Sequence, residues 1–73
     1  MPNNKLPLPC IAGIRLGGAG HFIAILPADG NRCFVADPLS GGFFYERSSI
    51  SENFDFSGFF MEIVKESEAN DSI

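Results

Sequence analysis

Short apolar runs alternate with glycine- and proline-containing breaks along this chain, a pattern typical of β-strands joined by tight turns. The run from His21 to Leu26 is apolar on both faces apart from His21, which predicts a central, buried strand. The pattern predicts a mainly β fold, an antiparallel sheet of four or five strands. The predicted strands are 10–16, 21–26, 32–37, 43–47 and 57–65.

The breaks between the strands divide the chain into segments. A glycine-rich loop, 17–20, follows the first strand, and Asp29-Gly30 is a preferred hairpin dipeptide. Residues 48–54 fit one helical turn capped by Ser48 or Ser49, with Ser49 and Glu52 as a capping box. We therefore expect three regions. They are an extended lead-in at 1–9, an antiparallel β half-domain at 10–65 and a flexible acidic tail at 66–73.

The hairpin between the second and third strands brings together one histidine and one aspartate. A three-residue loop at 28–30 would place His21 directly opposite Asp37, on the same face of the sheet. A carboxylate there would accept the Nδ1 proton and orient the ring, so that the other nitrogen activates a thiol or hydroxyl. The same spacing also fits a polar pair at a sheet edge with no catalytic role.

Composition excludes several classes of protein. Only five Lys and Arg are scattered among 73 residues of net charge −4, so no basic surface for nucleic acid is predicted. The single histidine and two cysteines lack the spacing of a metal site, and no cofactor is expected. No apolar run approaches the length of a membrane span or signal peptide. We therefore expect a reduced, cytoplasmic protein without direct membrane insertion.

The two stretches His21-Phe22-Ile23-Ala24-Ile25-Leu26 and Phe34-Val35-Ala36-Asp37-Pro38-Leu39-Ser40-Gly41 resemble a known family. It is the papain-like, bacteriocin-processing cysteine peptidases that cleave double-glycine leaders and often form a domain of ABC exporters. The shared pattern is an apolar strand opened by His and a second strand that ends in Asp-Pro with a nearby Gly. The resemblance extends over roughly residues 6–64 and covers only the C-terminal, His/Asp half of the α+β parent fold.

The resemblance implies a role for individual residues. His21 resembles the general base, and Asp37 resembles the carboxylate that orients it. Ala19 and Gly20 fall where such folds pass the substrate backbone close to the site. The chain departs from the family because neither the helical, Cys-bearing lobe nor its oxyanion Gln is present in the sequence.

The cysteines of this chain do not match the position of that nucleophile. Cys10 precedes the first strand of the sheet, and Cys33 lies within a core strand, so both are interpreted as small buried hydrophobes. A disulfide between them is conceivable, but the sequence does not test its geometry.

Three functional hypotheses follow from the sequence. The first is the His/Asp half of a thiol peptidase acting on a leader peptide, with the cysteine supplied by a separate partner chain, by a swapped homodimer or by a removed segment. In that case a parent transporter could hold this chain at the inner face of a membrane. The second is a pseudo-peptidase that binds peptides without turnover, and the third is a fragment with no function of its own.

Overall fold

The computed structural model describes residues 6–64, which form a five-stranded antiparallel sheet and one short helix. This confirms the predicted mainly β fold. The strands are β1 (Cys10–Leu16), β2 (Ala19–Pro27), β3 (Arg32–Asp37), β4 (Gly41–Glu46) and β5 (Phe56–Glu62). A 3₁₀ turn (Arg47–Ser49) and helix α1 (Ile50–Asn53) connect β4 to β5. The expected tail at 66–73 lies outside the described residues.

The strands are arranged in the order β4-β3-β2-β1-β5, so β2 occupies the middle of the sheet. The central position expected for this strand is therefore confirmed. Its burial on both faces is not, because Ile23 and Ile25 are buried whereas Phe22 remains 56% exposed. The sheet has one covered side, called the core face, and a second side, called the open face, which carries Phe22.

The hydrophobic core lies entirely on the core face. Alternate residues of β1, β2 and β3 point into it, as the two-residue period of a strand requires. Ile50 of α1 is fully buried against these strands, and Leu6 of the lead-in joins it. The buried side chains are Leu6, Cys10, Ala12, Ile14, Ile23, Ile25, Cys33, Val35 and Ile50.

Two local predictions need correction. The glycine-rich segment forms only a two-residue turn, because Gly17 (φ 57°) and Gly18 (φ 85°) both adopt the positive φ that the tightest hairpins require. Strand β2 therefore begins at Ala19. The capping box is also wrong, since Ser49 makes no side-chain cap and its hydroxyl instead donates to the Glu46 carbonyl at 3.2 Å.

Ile50 provides a test of packing on the core face. Replacing Ile50 with Ala should lower the free energy of unfolding by about 2–5 kcal/mol, because it leaves a cavity under the only helix among the described residues. Urea denaturation followed by circular dichroism measures this loss. The control is Leu39→Ala, at a side chain that is 76% exposed, where the change should stay within about 0.5 kcal/mol. Equal effects of the two substitutions would contradict the assignment of Ile50 to the core.

Candidate catalytic dyad

His21 and Asp37 meet at one end of the sheet, on the core face. His21 lies near the beginning of β2 and Asp37 ends β3, so antiparallel pairing brings them to the same end of the sheet. The Nε2 atom of His21 lies 2.7 Å from Oδ1 of Asp37. The two side chains are 15% and 12% exposed, which makes them a largely shielded hydrogen-bonded pair at the margin of the core.

The register that produces this contact differs from the predicted one. Strands β2 and β3 pair Ala24 with Ala36, and continuing that register would place Asp37 opposite Ile23 rather than His21. The loop is one residue further along, because the Ala28 N–H donates to the Arg32 carbonyl across a turn centred on Gly30.

The direct opposition of His21 and Asp37 is therefore wrong, but their common face is correct. Displacing the loop by one residue changes each cross-strand partner by two positions, and side chains two positions apart on a strand share a face. The two residues are diagonal neighbours, a separation that long side chains can bridge.

The carboxylate of Asp37 is held by its own turn as well as by the histidine. The backbone N–H of Leu39 donates to Oδ1 at 2.8 Å, and the backbone N–H of Ser40 donates to the Asp37 carbonyl at 3.2 Å. The Leu39 bond, and then the His21 bond, hold the pKa of Asp37 below its usual range, against a smaller opposing effect of burial. Asp37 is thus a fixed anion at neutral pH.

The ring nitrogen that meets Asp37 is Nε2, not the expected Nδ1. A neutral imidazole has one donor and one acceptor nitrogen, and a carboxylate can only accept. Nε2 therefore carries the proton, and the lone pair is on Nδ1. The sequence does not encode which edge of the ring turns towards the carboxylate, because that depends on the side-chain torsions set by packing.

Neither cysteine is placed to be the nucleophile of this dyad. Cys10 pairs with Ile25 and Cys33 with Pro27, and these partners are four and six residues along β2 from His21. Four residues of strand span roughly 13 Å. Both thiols are fully buried and free, so the interpretation as small buried hydrophobes is confirmed. The conceivable disulfide is absent, since β2 lies between β1 and β3.

The environment of these thiols also makes them inert. Burial is the main cause that raises the pKa of Cys10, and Cys33 and Glu62 raise it further. Burial likewise raises the pKa of Cys33, although Arg47 partly opposes it. A thiol with a raised pKa is protonated at neutral pH and is a poor nucleophile.

The two residues expected near the substrate lie in the β1–β2 hairpin. Ala19 pairs with Leu16, and Gly20 pairs with Arg15. Strand alternation puts Ala19 on the same face as His21 and puts Gly20 on the open face, beside a depression of about 340 Å³ that His21 also lines. Both residues therefore lie near His21, and the role of both stays a prediction.

An apolar rim next to the dyad was missed by sequence reasoning. We define the rim as Leu16 (45% exposed), Leu39 (76%) and Phe43 (54%). Leu16 and Phe43 lie on the core face, diagonal to His21 and Asp37 respectively, and Leu39 follows in the Asp37 turn. The signal available in the sequence was a large apolar residue at the end of a strand, directly beside a polar pair.

Among residues 6–64, no group of three or more His, Cys, Asp or Glu side chains is arranged to hold a metal ion. No helix in that part of the chain is long and apolar enough to cross a membrane. Comparisons with protein-family models, with curated proteins and with solved structures find no match for this chain.

The ring orientation of His21 makes a direct prediction for NMR. A ring N–H proton of His21, slowed in its exchange with water and attached to Nε2, should be visible in the wild type. Asp37→Ala should abolish this signal because the acceptor is removed, whereas Asp29→Ala at the exposed turn should leave it unchanged. Nitrogen-correlated spectra identify the atom. A protected proton on Nδ1, or one that survives Asp37→Ala, would contradict the geometry.

The buried thiols make a second prediction. In the native protein Cys10 and Cys33 should react with a thiol-specific reagent at pH 7 roughly a hundredfold or more slowly than in urea, since reaction requires local opening. The absorbance of the released leaving group measures the rate. His21→Ala is the control and should not change it. One fast thiol that slows in His21→Ala would show that a cysteine does reach the dyad.

Proposed function

We propose that this chain is the His/Asp half of a cysteine-peptidase-like domain of the leader-peptide-processing class, active only when a Cys-bearing half joins it. The observation that carries the proposal is the 2.7 Å contact between His21 Nε2 and the Asp37 carboxylate. An ionised carboxylate fixes the ring in one orientation and leaves Nδ1 as the proton acceptor. That is the arrangement a thiol nucleophile requires.

The chemistry assigned to the pair follows from the free nitrogen. Nδ1 would take the proton of the partner's thiol, and the thiolate would attack the carbonyl carbon of the scissile peptide bond. The resulting imidazolium, stabilised by Asp37, would give its proton to the leaving amine as the C–N bond breaks. Water, deprotonated by Nδ1, would then hydrolyse the thioester and regenerate the thiol.

The apolar rim supports docking of a second half at this end of the sheet. Leu16, Leu39 and Phe43 surround a dyad that is itself only 12–15% exposed. A partner that covered the rim would bury this apolar surface and bring its cysteine over Nδ1 in the same step. Exclusion of water there would strengthen the hydrogen bond between the imidazole and the carboxylate.

A non-catalytic peptide-binding module is the second candidate function. The inert, buried state of both cysteines favours it, because neither supplies the nucleophile. Such a pseudo-peptidase would bind an extended peptide along the outer edge of β4 or β5 by main-chain hydrogen bonds. In either case the proposed partner is a peptide or leader peptide, and the proposed location is the cytoplasm, including the inner face of a membrane through a parent transporter.

Reconstitution from two halves tests the proposal. The chain is mixed with the isolated Cys-bearing helical half of a double-glycine-leader peptidase, and cleavage of a leader peptide is followed by mass spectrometry. Cleavage after the glycine pair should require both halves. His21→Ala should lower the rate about 10³-fold or more, and Asp37→Asn should lower it by a similar order because the ring loses its orienting anion.

Asp29→Asn is the matched control, since it removes a carboxylate from the opposite end of the β2–β3 hairpin and should leave cleavage unchanged. Cleavage that is insensitive to His21→Ala would exclude this dyad from catalysis. If the mixture fails to cleave but the chain alone binds the leader peptide, as shown by NMR shifts at its strand edges, the binding module replaces the peptidase.

A further inference from the structure

The open face of the sheet is an apolar surface on the side opposite the dyad. Four of its large side chains are about half exposed. They are Phe22 (56%), Phe44 (56%), Met61 (51%) and Phe59 (48%). The core cluster lies entirely on the other side. This amount of exposed aromatic surface on one side of a small sheet is typical of an interface.

A trench crosses the open face at right angles to the strands. Its floor is a row of small residues paired across neighbouring strands, Ala24 with Ala36 and Ala36 with Gly42. Phe22 and Phe34 stand on either side of this row. The trench has a volume of about 510 Å³ and extends from Ile11 on β1 to the β3–β4 turn, where Asp37 also lines it.

Gly42 lies beneath the ring of Phe34, which covers the β4 end of the trench. A Cβ atom at this position would come within 3.0 Å of several ring carbons of Phe34, so any larger residue would displace the ring. Phe34 itself packs edge-to-face on Phe44, with ring centroids 5.0 Å apart. Together with Leu26, these two rings form a raised ridge parallel to the trench.

Charged residues on the open face are confined to the strand ends. Arg15 pairs with Asp55 at 3.4 Å, and Arg32 lies over the Phe44 ring, 4.7 Å from its centroid. Glu46 is the cross-strand partner of Arg32. The hydroxyl of Ser57 lies beside Gly13, towards β5. Between the strand ends, the part of the face formed by β2, β3 and β4 therefore offers an occupant neither a charge nor a polar side chain, and it suits an equally apolar, uncharged surface.

The size of the face matches one side of a small dimer interface. Five strands about 4.8 Å apart, each with about seven residues rising about 3.3 Å, give a face of roughly 24 by 23 Å. Two such faces bury on the order of 1,100 Å² before their contours are counted. Specific interfaces begin at about 1,000 Å² in total.

We propose that the occupant of the open face is a second copy of this chain, packed face to face about a two-fold axis. The ridge of each copy would fill the trench of the other, since a two-fold interface is formed by the same patch on both subunits. The row of alanines on β2 and β3 would let the two sheets approach to about 10 Å. Both dyads would then face outwards, on the sides away from the interface.

Adjacent residues of β4 provide a matched pair of substitutions. Phe44 and Phe43 are 56% and 54% exposed, but they lie on the open and core faces respectively. Sedimentation equilibrium of the wild type should give about twice the chain mass of 7.9 kDa. Phe44→Glu should raise the dissociation constant of the dimer roughly a hundredfold or more because it removes a ring of the ridge and brings a carboxylate into an apolar contact, and Phe43→Glu should leave it unchanged.

A second measurement uses the unmodified protein. With a soluble paramagnetic probe, the methyl groups of Ala24, Ala36 and Met61 should be shielded at high protein concentration and become accessible on dilution. The methyl groups of Leu16 and Leu39, on the rim, should stay accessible throughout.

A wild-type monomer at millimolar concentration would overturn the proposal. A dimer that dissociates with Phe43→Glu but not with Phe44→Glu would also overturn it, because it would place the interface on the dyad side. Shielding of the rim methyls in place of the open-face methyls would do the same, and it would leave the proposed docking of a Cys-bearing half intact. Phe22→Glu repeats the test on β2 should Phe44→Glu fail to fold, as judged by circular dichroism.

Discussion

A five-stranded sheet has two faces, and the described residues of this chain cover only one of them. A chain of 73 residues buries roughly 60% of its unfolded surface at best. Here the buried side chains form one cluster on the core face. Ile50 and Leu6 cover this cluster, and Ile14, Ile23 and Val35 are among the strand residues beneath them. The position of the dyad, the exposed rim and the apolar open face all follow from where this cover ends.

His21 and Asp37 lie at the margin of the cover, and this position decides their chemistry. They are shielded enough to keep a fixed geometry, with side chains that are 12–15% exposed. The hydrogen bonds from Leu39 and His21 keep the carboxylate ionised by lowering its pKa. A pair fully inside the core would pay a desolvation penalty for its charge, whereas a pair in open solvent would lose its fixed geometry.

The alternation of side chains made the fold and the shared face of the dyad predictable, but it did not specify the register. Asp29-Gly30 correctly indicated a hairpin, yet the turn is centred on Gly30, because glycine takes the positive φ of 60° that is needed there. That displacement shifts cross-strand partners by two residues, so the common face of His21 and Asp37 survives. The choice of Nε2 over Nδ1, and the hydrogen bond from Leu39, depend on side-chain torsions and on a local turn that no period in the sequence encodes.

For a related reason, the sequence did not predict that the described residues cover only one face of the sheet. Strand β2 is apolar on both sides, so its pattern is the same whether one face or two are buried, and only the topology shows that α1 packs on one side. The apolar pattern on both sides of the sheet also has a physical consequence. The sequence maintains an apolar face on Phe22, Phe44 and Met61, where solvent exposure would favour polar residues. A face of this kind, which the described residues leave uncovered, suits the partner copy proposed for it. Since the contact between the His21 and Asp37 side chains lies on the core face, that partner and a Cys-bearing half would occupy different faces of the sheet.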